Sequence, residues 1–495
     1  MLTRCLFLLT AVLLAPVLAL ATPLADKVVE HRLGNGLRLL MVERHDTPTV
    51  SAYITLGVGS VHESSETRGV AHLLEHMLFK GTTTLGTTDY RAEEPLLLEI
   101  EQVGSELDRL RLQPAADPVR VADLEARLKT LQEQHKAFVV KDAFAQLYSE
   151  SGAVGFNAFT SKDMTTYLVS LPANKLELWA LLESDRMKNA VLREFYTERD
   201  VVREERRRSY ESNPDGLLYE TLVSTAFTVH PYRNPIIGWH TDIANLTLAE
   251  TRDFLRRYYA PVNTTIALVG DFRAAEAVAL VERYFGGIAP GEPVPAVAAV
   301  EPEQAGEKRV AIEFDAEPQL AIAFHKPTLP DRDDYAFDLI DQVLGQGRTS
   351  RLYRRLVEKE QLATAVAVYG APGSRYPNLF VIEAVPRHPH TSAEVEAAIL
   401  DELERLKNEP VSATELTRAR NRLLTDNLRA LRSNSGLARM LTTYQVLAGD
   451  WRYLVDYETR IGELTAEDLR ATAQRWFTSK NRTAVTLQRK GGAER

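Results

Sequence analysis

The spacing of apolar positions changes several times along the chain and predicts a protein of mixed α and β structure. Residues 36–42 and 50–56 are rich in aliphatic and β-branched side chains, and the turn-like HDTP segment between them indicates two strands. Residues 69–80 repeat apolar positions at helical spacing, and Gly81 follows as a stop signal. Further along, the pattern predicts a strand pair at 154–170, two helices at 176–210 and a buried strand at 264–271.

A charge-rich segment, residues 91–148, interrupts this order between the first helix and the strand pair. Its two long helical stretches, 93–113 and 119–139, flank a connector with two prolines, PAADP, and so predict an inserted helical hairpin. Such a hairpin is either a binding arm or a solvated spacer, and the spacer requires fewer assumptions.

The second half of the chain repeats the strand–helix order of the first. Residues 287–302 contain four prolines and no periodicity, which is typical of a linker. Beyond it, PQLAIAF at 318–324 corresponds to PTVSAYI at 48–54. The helical stretch DLIDQVLGQG at 338–347 aligns without gaps on HLLEHMLFKG at 72–81, with matching apolar positions.

This repeat predicts an α+β protein built from two homologous α/β sandwich-like domains. We expect the first domain at residues 22–286, with the hairpin inserted in it, and a linker at 287–306. The second domain is then expected at residues 307–495.

The N-terminus has the features of a secretory signal peptide. Arg4 precedes an almost wholly apolar stretch, and the ALA segment at 19–21 has the small residues of a cleavage site, while Pro16 argues against an uncleaved membrane anchor. We therefore expect residues 1–21 to be removed and the mature chain to be periplasmic or secreted, without stable membrane insertion. Cys5 is the only cysteine and leaves with this segment, which excludes disulfides and thiolate chemistry.

The charge of the chain narrows the classes of partner. The formal net charge is −9 and is spread along the sequence. Proteins that bind nucleic acids usually show a basic excess or a basic stripe, so nucleic-acid binding is not expected.

The residues with the clearest chemistry lie in the HLLEH segment at 72–76. His72 and His76 are four residues apart, so on a helix their side chains share one face, about 5–6 Å apart at Cβ. Two imidazoles placed in this way can bind one zinc ion at Zn–N distances of about 2.0–2.1 Å. Glu75 borders the same face and can accept a proton from a zinc-bound water. The segment therefore predicts metal-assisted hydrolysis, with one zinc ion per chain and Glu75 as the catalytic base.

The aligned helix of the second half lacks this chemistry. The residues aligned with His72, Glu75 and His76 are, in that order, Asp338, Asp341 and Gln342. We expect this copy to have no metal site.

A catalytic zinc site needs a third protein ligand, which here must be a carboxylate because the mature chain has no thiol. Four residues at positions i, i+3, i+4 and i+7 share one helical face: Glu198, Val201, Val202 and Glu205. The valines indicate a buried face, and a buried carboxylate needs a partner such as a metal ion. Glu205 is the preferred ligand and Glu198 a carboxylate that orients a ligand histidine, whereas Glu204, about 100° round the helix, is a weaker candidate. The alternative is a solvated face with ordinary surface glutamates.

The segment GVAHLLEHMLFKG at 69–81 resembles the inverted zinc motif of the pitrilysin family, which includes insulin-degrading enzyme and the β subunit of mitochondrial processing peptidase. The resemblance continues through residues 156–167, 198–205 and 269–271 and through the second half, so it covers nearly all of the mature chain. It is closest to the short, two-domain bacterial type.

The resemblance implies a zinc-dependent endopeptidase that hydrolyses peptides or unfolded polypeptides in an enclosed chamber. It implies that Glu205 is the third metal ligand and Glu198 its supporting carboxylate. Asn157 and Ala158 match the edge strand with which the substrate backbone pairs by strand addition. Each chain would supply half of a clamshell and work in a dimer. The alternative in another class is a non-catalytic scaffold subunit of the same fold.

Two departures from the family pattern bear on these expectations. His76 and Glu205 are further apart in sequence than is usual, which the hairpin insertion explains. Active members also have an arginine and, seven residues later, a tyrosine in the second copy, and Val357 and Thr364 stand at these positions. We therefore expect either a heterodimer with a related subunit that carries the pair, or a homodimer that holds substrate differently.

Overall fold

The structure, a computed structural model, describes residues 24–491. The signal peptide expected at residues 1–21 lies outside the described residues. The strands are Val29–Arg32 (β1), Arg38–Glu43 (β2), Thr49–Leu56 (β3), Val154–Thr160 (β4), Thr165–Pro172 (β5), Thr264–Gly270 (β6), Lys308–Phe314 (β7), Gln319–Lys326 (β8), Ala363–Ala371 (β9), Asn378–Pro386 (β10) and Arg482–Arg489 (β11).

The helices of the first half include the zinc-motif helix, the hairpin and the helices that surround the first sheet: Leu24–Lys27 (α1), Val70–Met77 (α2), Tyr90–Arg111 (α3), Pro118–His135 (α4), Ala143–Glu150 (α5), Leu176–Asn189 (α6), Phe195–Arg206 (α7), Pro214–Ala226 (α8), His240–Asn245 (α9), Leu248–Tyr258 (α10) and Ala274–Phe285 (α11). Those of the second half are Arg332–Leu344 (α12), Ser392–Asn408 (α13), Ala413–Arg432 (α14), Asn434–Ala448 (α15), Tyr453–Glu463 (α16) and Ala466–Trp476 (α17). No helix among residues 24–491 is long and apolar enough to span a bilayer.

The strands form two sheets with the same topology. The first has the order β1-β2-β6-β3-β5-β4 and the second β7-β11-β8-β10-β9. Without β1, the two orders superimpose strand for strand in chain order. In both sheets the first and last of these strands pair in parallel, β2 with β6 and β7 with β11. The predicted fold class, α+β with a repeated architecture, is confirmed.

Alternate side chains of a strand point to opposite faces of its sheet. In each of the two sheets, both faces are covered by helices. On the first sheet, Leu39 and Met41 face the helices of their own half, whereas Leu40 and Val42 face α15 of the second half. The second sheet is covered on one face by α12, α13 and α17 and on the other by α8 of the first half. The two halves therefore exchange one helix each, and each exchanged helix covers the sheet of the other half.

The segment between the halves is without regular structure, as its prolines indicate. No helix or strand lies between residues 286 and 307.

The inserted hairpin forms as predicted but is not a solvated spacer. Its helices α3 and α4 contribute apolar side chains to the core of the first half: Ile100, Val103, Leu107, Leu124, Leu128 and Leu131. Three of its charged or titratable residues, Glu93, Asp108 and His135, are also buried. A face this extensively buried makes the hairpin an integral part of the first half.

Candidate metal centre

The helix α2 that carries the HLLEH segment is fixed at both ends. At its start, Gly69 adopts φ of 90°, and a Cβ there would lie 2.5 Å from the carbonyl oxygen of Ile237, so only glycine fits. The Glu63 carboxylate accepts hydrogen bonds from the backbone N–H groups of Gly69 (3.0 Å) and Ala71 (2.9 Å), which are free at a helix N-terminus. The helix ends at Met77 and not at residue 80 as predicted. The backbone N–H groups of residues 79 and 80 donate to the carbonyl three residues earlier, and not four, which is the tighter 3₁₀ pattern.

The structure brings His72, His76 and Glu205 together. Within residues 24–491 they form the only group of three or more potential ligand residues whose ligand atoms lie within 4.8 Å of one another. His72 Nε2 lies 3.7 Å from Glu205 Oε1, and His76 Nε2 lies 3.5 Å from Glu205 Oε2. Both imidazoles therefore present the same nitrogen to one carboxylate.

These separations suit a shared tetrahedral metal ion. Bonds of about 2.0–2.1 Å at a tetrahedral angle place two ligand atoms roughly 3.3 Å apart, close to the observed 3.5 and 3.7 Å. Two imidazoles and one carboxylate also form a donor set found in catalytic zinc sites, which leave a fourth position open. The residues present fit a zinc ion.

Glu198 and Lys80 orient His76. His76 Nδ1 lies 3.0 Å from Glu198 Oε1, and the other carboxylate oxygen, Oε2, lies 2.6 Å from Lys80 Nζ. A histidine that donates its Nδ1 proton to a carboxylate keeps Nε2 free as a ligand. Burial lowers the pKa of His76, but the hydrogen bond and charge of Glu198 outweigh that effect, so the pKa is raised overall.

His72 is held differently. Its Nδ1 is buried and has no hydrogen-bond partner among the described residues. Burial, together with the nearby His76, lowers the pKa of His72 to about 3. The imidazole is therefore neutral at pH 7, which is the form that binds metal ions.

Glu75 lies beside the three ligands without being one of them. Burial raises its pKa, and a hydrogen bond of 2.6 Å from Thr160 Oγ1 to Glu75 Oε2 partly offsets this shift. A carboxylate with a raised pKa is closer to the value that general-base catalysis at neutral pH requires.

Glu205, the preferred third ligand, lies beside the two histidines, but the helical face that carries it is not uniformly buried. Val202 is fully buried, yet Val201 is 45% exposed, and the Glu205 side chain is 41% exposed. Glu205 faces an open site, so the premise of a uniformly buried face was wrong. Glu204 points away from the histidines and pairs with Arg207 and Arg208.

Sequence reasoning did not identify Thr160, Lys80 or Glu63. Thr160 lies on β4 and is 85 residues from Glu75 in sequence, so only the tertiary fold joins them. Lys80 lies four residues after His76, and its partner Glu198 is distant in sequence, so only the tertiary fold joins them. Glu63 precedes the helix by several residues and resembles any surface acid in sequence.

Asn157 and Ala158 lie on β4, the last strand of the first sheet. Among the described strands, β4 pairs only with β5, so its other edge offers free backbone groups. Asn157 is exposed and Ala158 is buried, as the alternation of a strand requires. The strand is thus placed for pairing with an extended peptide.

The positions of the missing arginine and tyrosine contain no substitute pair. Val357 packs partly against the core of the second half, and Thr364 Oγ1 donates to the Val385 carbonyl at 3.3 Å. The nearby Arg355 is paired with Asp401 and Glu360, and the Tyr369 hydroxyl donates to Glu383.

Comparison with known families separates the two halves. Residues 38–108 and 140–239 match the family model described as insulinase, peptidase family M16. Residues 245–423 match the model described as the peptidase M16 inactive domain. The insulinase ranges contain all the candidate site residues, and the inactive-domain range contains none. The unmatched residues 109–139 fall within the hairpin.

Relatives and solved structures match most of the chain. The chain is 27% identical over 464 residues to zinc protease PqqE of Helicobacter pylori, covering 92% of this chain and 91% of that protein. It is 25% identical to a probable mitochondrial-processing peptidase subunit beta of Arabidopsis thaliana, covering 83% of this chain and 70% of that one. A crystal structure of a protease from Helicobacter pylori superimposes with a TM-score of 0.78 at 25% identity, covering 94% of this chain and all of the other.

A structure described as the peptidase M16 inactive domain from Pseudomonas fluorescens has a TM-score of 0.74 at 22% identity, covering 93% of this chain and 97% of the other, and shares the fold. The family models, the relatives and the repeated architecture lead to one conclusion. The chain belongs to the insulinase family of peptidases, family M16, also called the pitrilysin family, in its two-domain form.

Proposed function

We propose that this protein is a zinc-dependent endopeptidase that acts on peptides or unfolded polypeptides. The observation that carries the proposal is the convergence of His72, His76 and Glu205 within 4.8 Å, with Glu75 beside them. Relatives named as zinc proteases are consistent with it.

The residues have distinct tasks in this proposal. His72, His76 and Glu205 would hold zinc, which supplies Lewis-acid polarisation of a carbonyl and lowers the pKa of a bound water toward about 7. Glu75 accepts the proton of the attacking water and passes it to the leaving amine. Thr160 Oγ1 donates to Glu75 Oε2 at 2.6 Å and so orients the carboxylate that takes this proton. The substrate backbone pairs along β4, beside Asn157 and Ala158.

Metal analysis and hydrolysis of a quenched-fluorescent peptide library test this proposal together. The mature chain should hold about one zinc, and His72→Ala, His76→Ala and Glu205→Gln should lose it. Glu75→Gln should keep zinc but lose hydrolysis, because its carboxylate is not a ligand. Glu204→Gln is the matched control and should keep both. Equal zinc loss in Glu75→Gln and His72→Ala would refute the role of Glu75.

We also propose that the protein works in the periplasm or outside the cell, as one subunit of a dimer. Val357 and Thr364 replace the substrate-binding pair of the family, so a related subunit would supply it and the isolated chain would be weakly active. Light scattering with peptide hydrolysis checks this arrangement, and full turnover by a homodimer would contradict the heterodimer. A zinc-loaded chain that hydrolyses no peptide, alone or with such a subunit, would favour the scaffold alternative.

A further inference from the structure

A cavity of about 620 Å³ lies next to β4, the strand along which the substrate would pair. It lies between the β4–β5 turn of the first half and α12 of the second. Phe159, which lines it on the first side, is the neighbour of Thr160, whose hydroxyl holds Glu75. On the other side lie Asp338 and Asp341, the residues aligned with His72 and Glu75.

Four aspartates line this cavity, and only two of them form ion pairs with other described residues. Of its aspartates, Asp334 pairs with Lys326, and Asp426 pairs with Arg429. By contrast, no lysine or arginine of residues 24–491 lies within 4.0 Å of the carboxylates of Asp338 or Asp341.

Only neutral donors reach these two carboxylates. Asp338 Oδ2 accepts from the Tyr457 hydroxyl at 2.8 Å, and the oxygens of Asp341 accept from Gln346 Nε2 at 3.2 and 3.1 Å. Burial raises the pKa of Asp338 to about 7 and that of Asp341 to about 6. Neither carboxylate therefore has a direct ion pair within residues 24–491. The charges of Lys326 and Arg422 lower the two pKa values from a greater distance, but by less than burial raises them. Arg439 also lines the cavity.

An independent observation also indicates a missing donor. Asn378 lines the same cavity and is only 4% exposed. Its Nδ2 donates to the Gly373 carbonyl at 2.6 Å, but its Oδ1 is buried and has no hydrogen-bond partner among the described residues. Buried amide oxygens are nearly always satisfied, so this one calls for an N–H or O–H donor.

The walls of the cavity suit an organic cation. Lys326 Nζ already lies 5.6 Å from the centroid of the Phe337 ring, so the protein itself places an ammonium group over an aromatic face there. Phe380, Tyr444 and Tyr457 add further aromatic surface. A bare metal ion fits less well, because no metal-ligand cluster occurs here among the described residues.

We propose that this cavity is a subsite that takes the side chain of an arginine or lysine of the bound peptide. The proposal rests on the proposed peptidase function and narrows its substrates to peptides with a basic residue. The cation would bind Asp338 and Asp341, donate to Asn378 Oδ1 and lie against the aromatic walls, while the peptide backbone follows β4.

Peptide binding to the zinc-loaded Glu75→Gln chain tests this subsite without hydrolysis. The probes are fluorescein-labelled peptides in which one arginine is moved along an otherwise neutral sequence, each compared with its citrulline counterpart. Citrulline keeps the shape of arginine and removes the charge. We expect the dissociation constant at one position to be about tenfold lower for arginine, the ratio typical of one charge-assisted hydrogen-bonded pair.

Additional Asp338→Asn and Asp341→Asn substitutions should bring this ratio close to one, and an unchanged circular dichroism spectrum shows that the chain is folded. Asp315→Asn, in an exposed loop of the same half, is the matched control and should keep the ratio. Equal binding of arginine and citrulline at every position, or an unchanged ratio in the double variant, would overturn the subsite. If the parent chain hydrolyses no peptide, either alone or with a related subunit, while the arginine preference is intact, the peptidase function alone is overturned.

Discussion

At the scale of single residues, the candidate site was predictable where its members lie on one helix. The spacing of His72, Glu75 and His76 is local, and helical geometry alone places them on one side. Glu205 also followed from a helical face, although the burial assumed for that face was wrong. Lys80 and Thr160 were not predicted, because their partners, Glu198 and Glu75, become neighbours only in the folded chain.

Lys80 gives a prediction at this scale. Lys80→Met should weaken zinc binding by about 10–100-fold, the range for residues that support metal ligands, because Glu198 loses the ammonium group that orients it toward His76. Lys80→Arg should retain most of the affinity. Competition with a chelator measures the dissociation constant directly. If Lys80→Met binds zinc as tightly as the parent chain, Glu198 needs no such support.

At the scale of elements, the strands and helices of both halves were predictable from periodicity, but the role of the hairpin was not. Charged residues such as Glu93 and His135 favoured a solvated spacer in sequence. In the fold, Glu93 Oε1 accepts from Arg193 Nε at 2.7 Å and lies 2.7 Å from His135 Nε2, all three residues being buried. Arg193 also donates to the Thr82 carbonyl at 2.6 Å, so the network joins the hairpin to the segment after α2.

The buried network predicts a large loss of stability for one substitution. Glu93→Ala should lower the free energy of unfolding by about 3–5 kcal/mol, because Arg193 is left buried without its counter-charge. Its exposed neighbour is the control, and Glu94→Ala should change the free energy by less than about 0.5 kcal/mol. Chemical denaturation followed by circular dichroism measures both.

The same network sets a dependence on pH. Burial works to raise the pKa of Glu93, but the hydrogen bonds from His135 and Arg193 outweigh it and lower the pKa to about 2. Because the folded-state pKa lies below the unfolded one, the stabilisation is complete above pH 4.5 and is lost as the pH falls toward 2. The difference in stability between the parent chain and Glu93→Ala should therefore shrink over this range. A constant difference would show that the carboxylate charge is not its source.

At the scale of the whole molecule, the repeat was predictable but the helix exchange between the halves was not. Pairs of matching segments, such as 48–54 and 318–324, gave the order of elements. Nothing in the sequence of α8 or α15 indicates which sheet either helix covers, because both are ordinary apolar helices. Leu222 of α8 packs against the second sheet, and Leu441 of α15 packs against the first.

The exchange predicts the behaviour of a chain cut in the linker. A protease site introduced near Val297 should be cleaved without separation of the halves, because each keeps the other's sheet covered. Size-exclusion chromatography under native conditions should show one peak with both fragments. Either half produced alone should be insoluble, since one face of its sheet would be exposed. Two soluble, separate halves would contradict this description.

The helix exchange also means that the first sheet is synthesised well before the helix that covers its second face. The first sheet is complete when Gly270 has been made, but the helix that covers its second face ends at Ala448. Roughly 180 further residues must be added, which at about 5–20 residues per second takes roughly 10–35 s. For that interval the nascent chain holds a finished sheet with one bare apolar face. We expect this intermediate to be the species that chaperones bind, and a ribosome stalled before residue 434 to retain them.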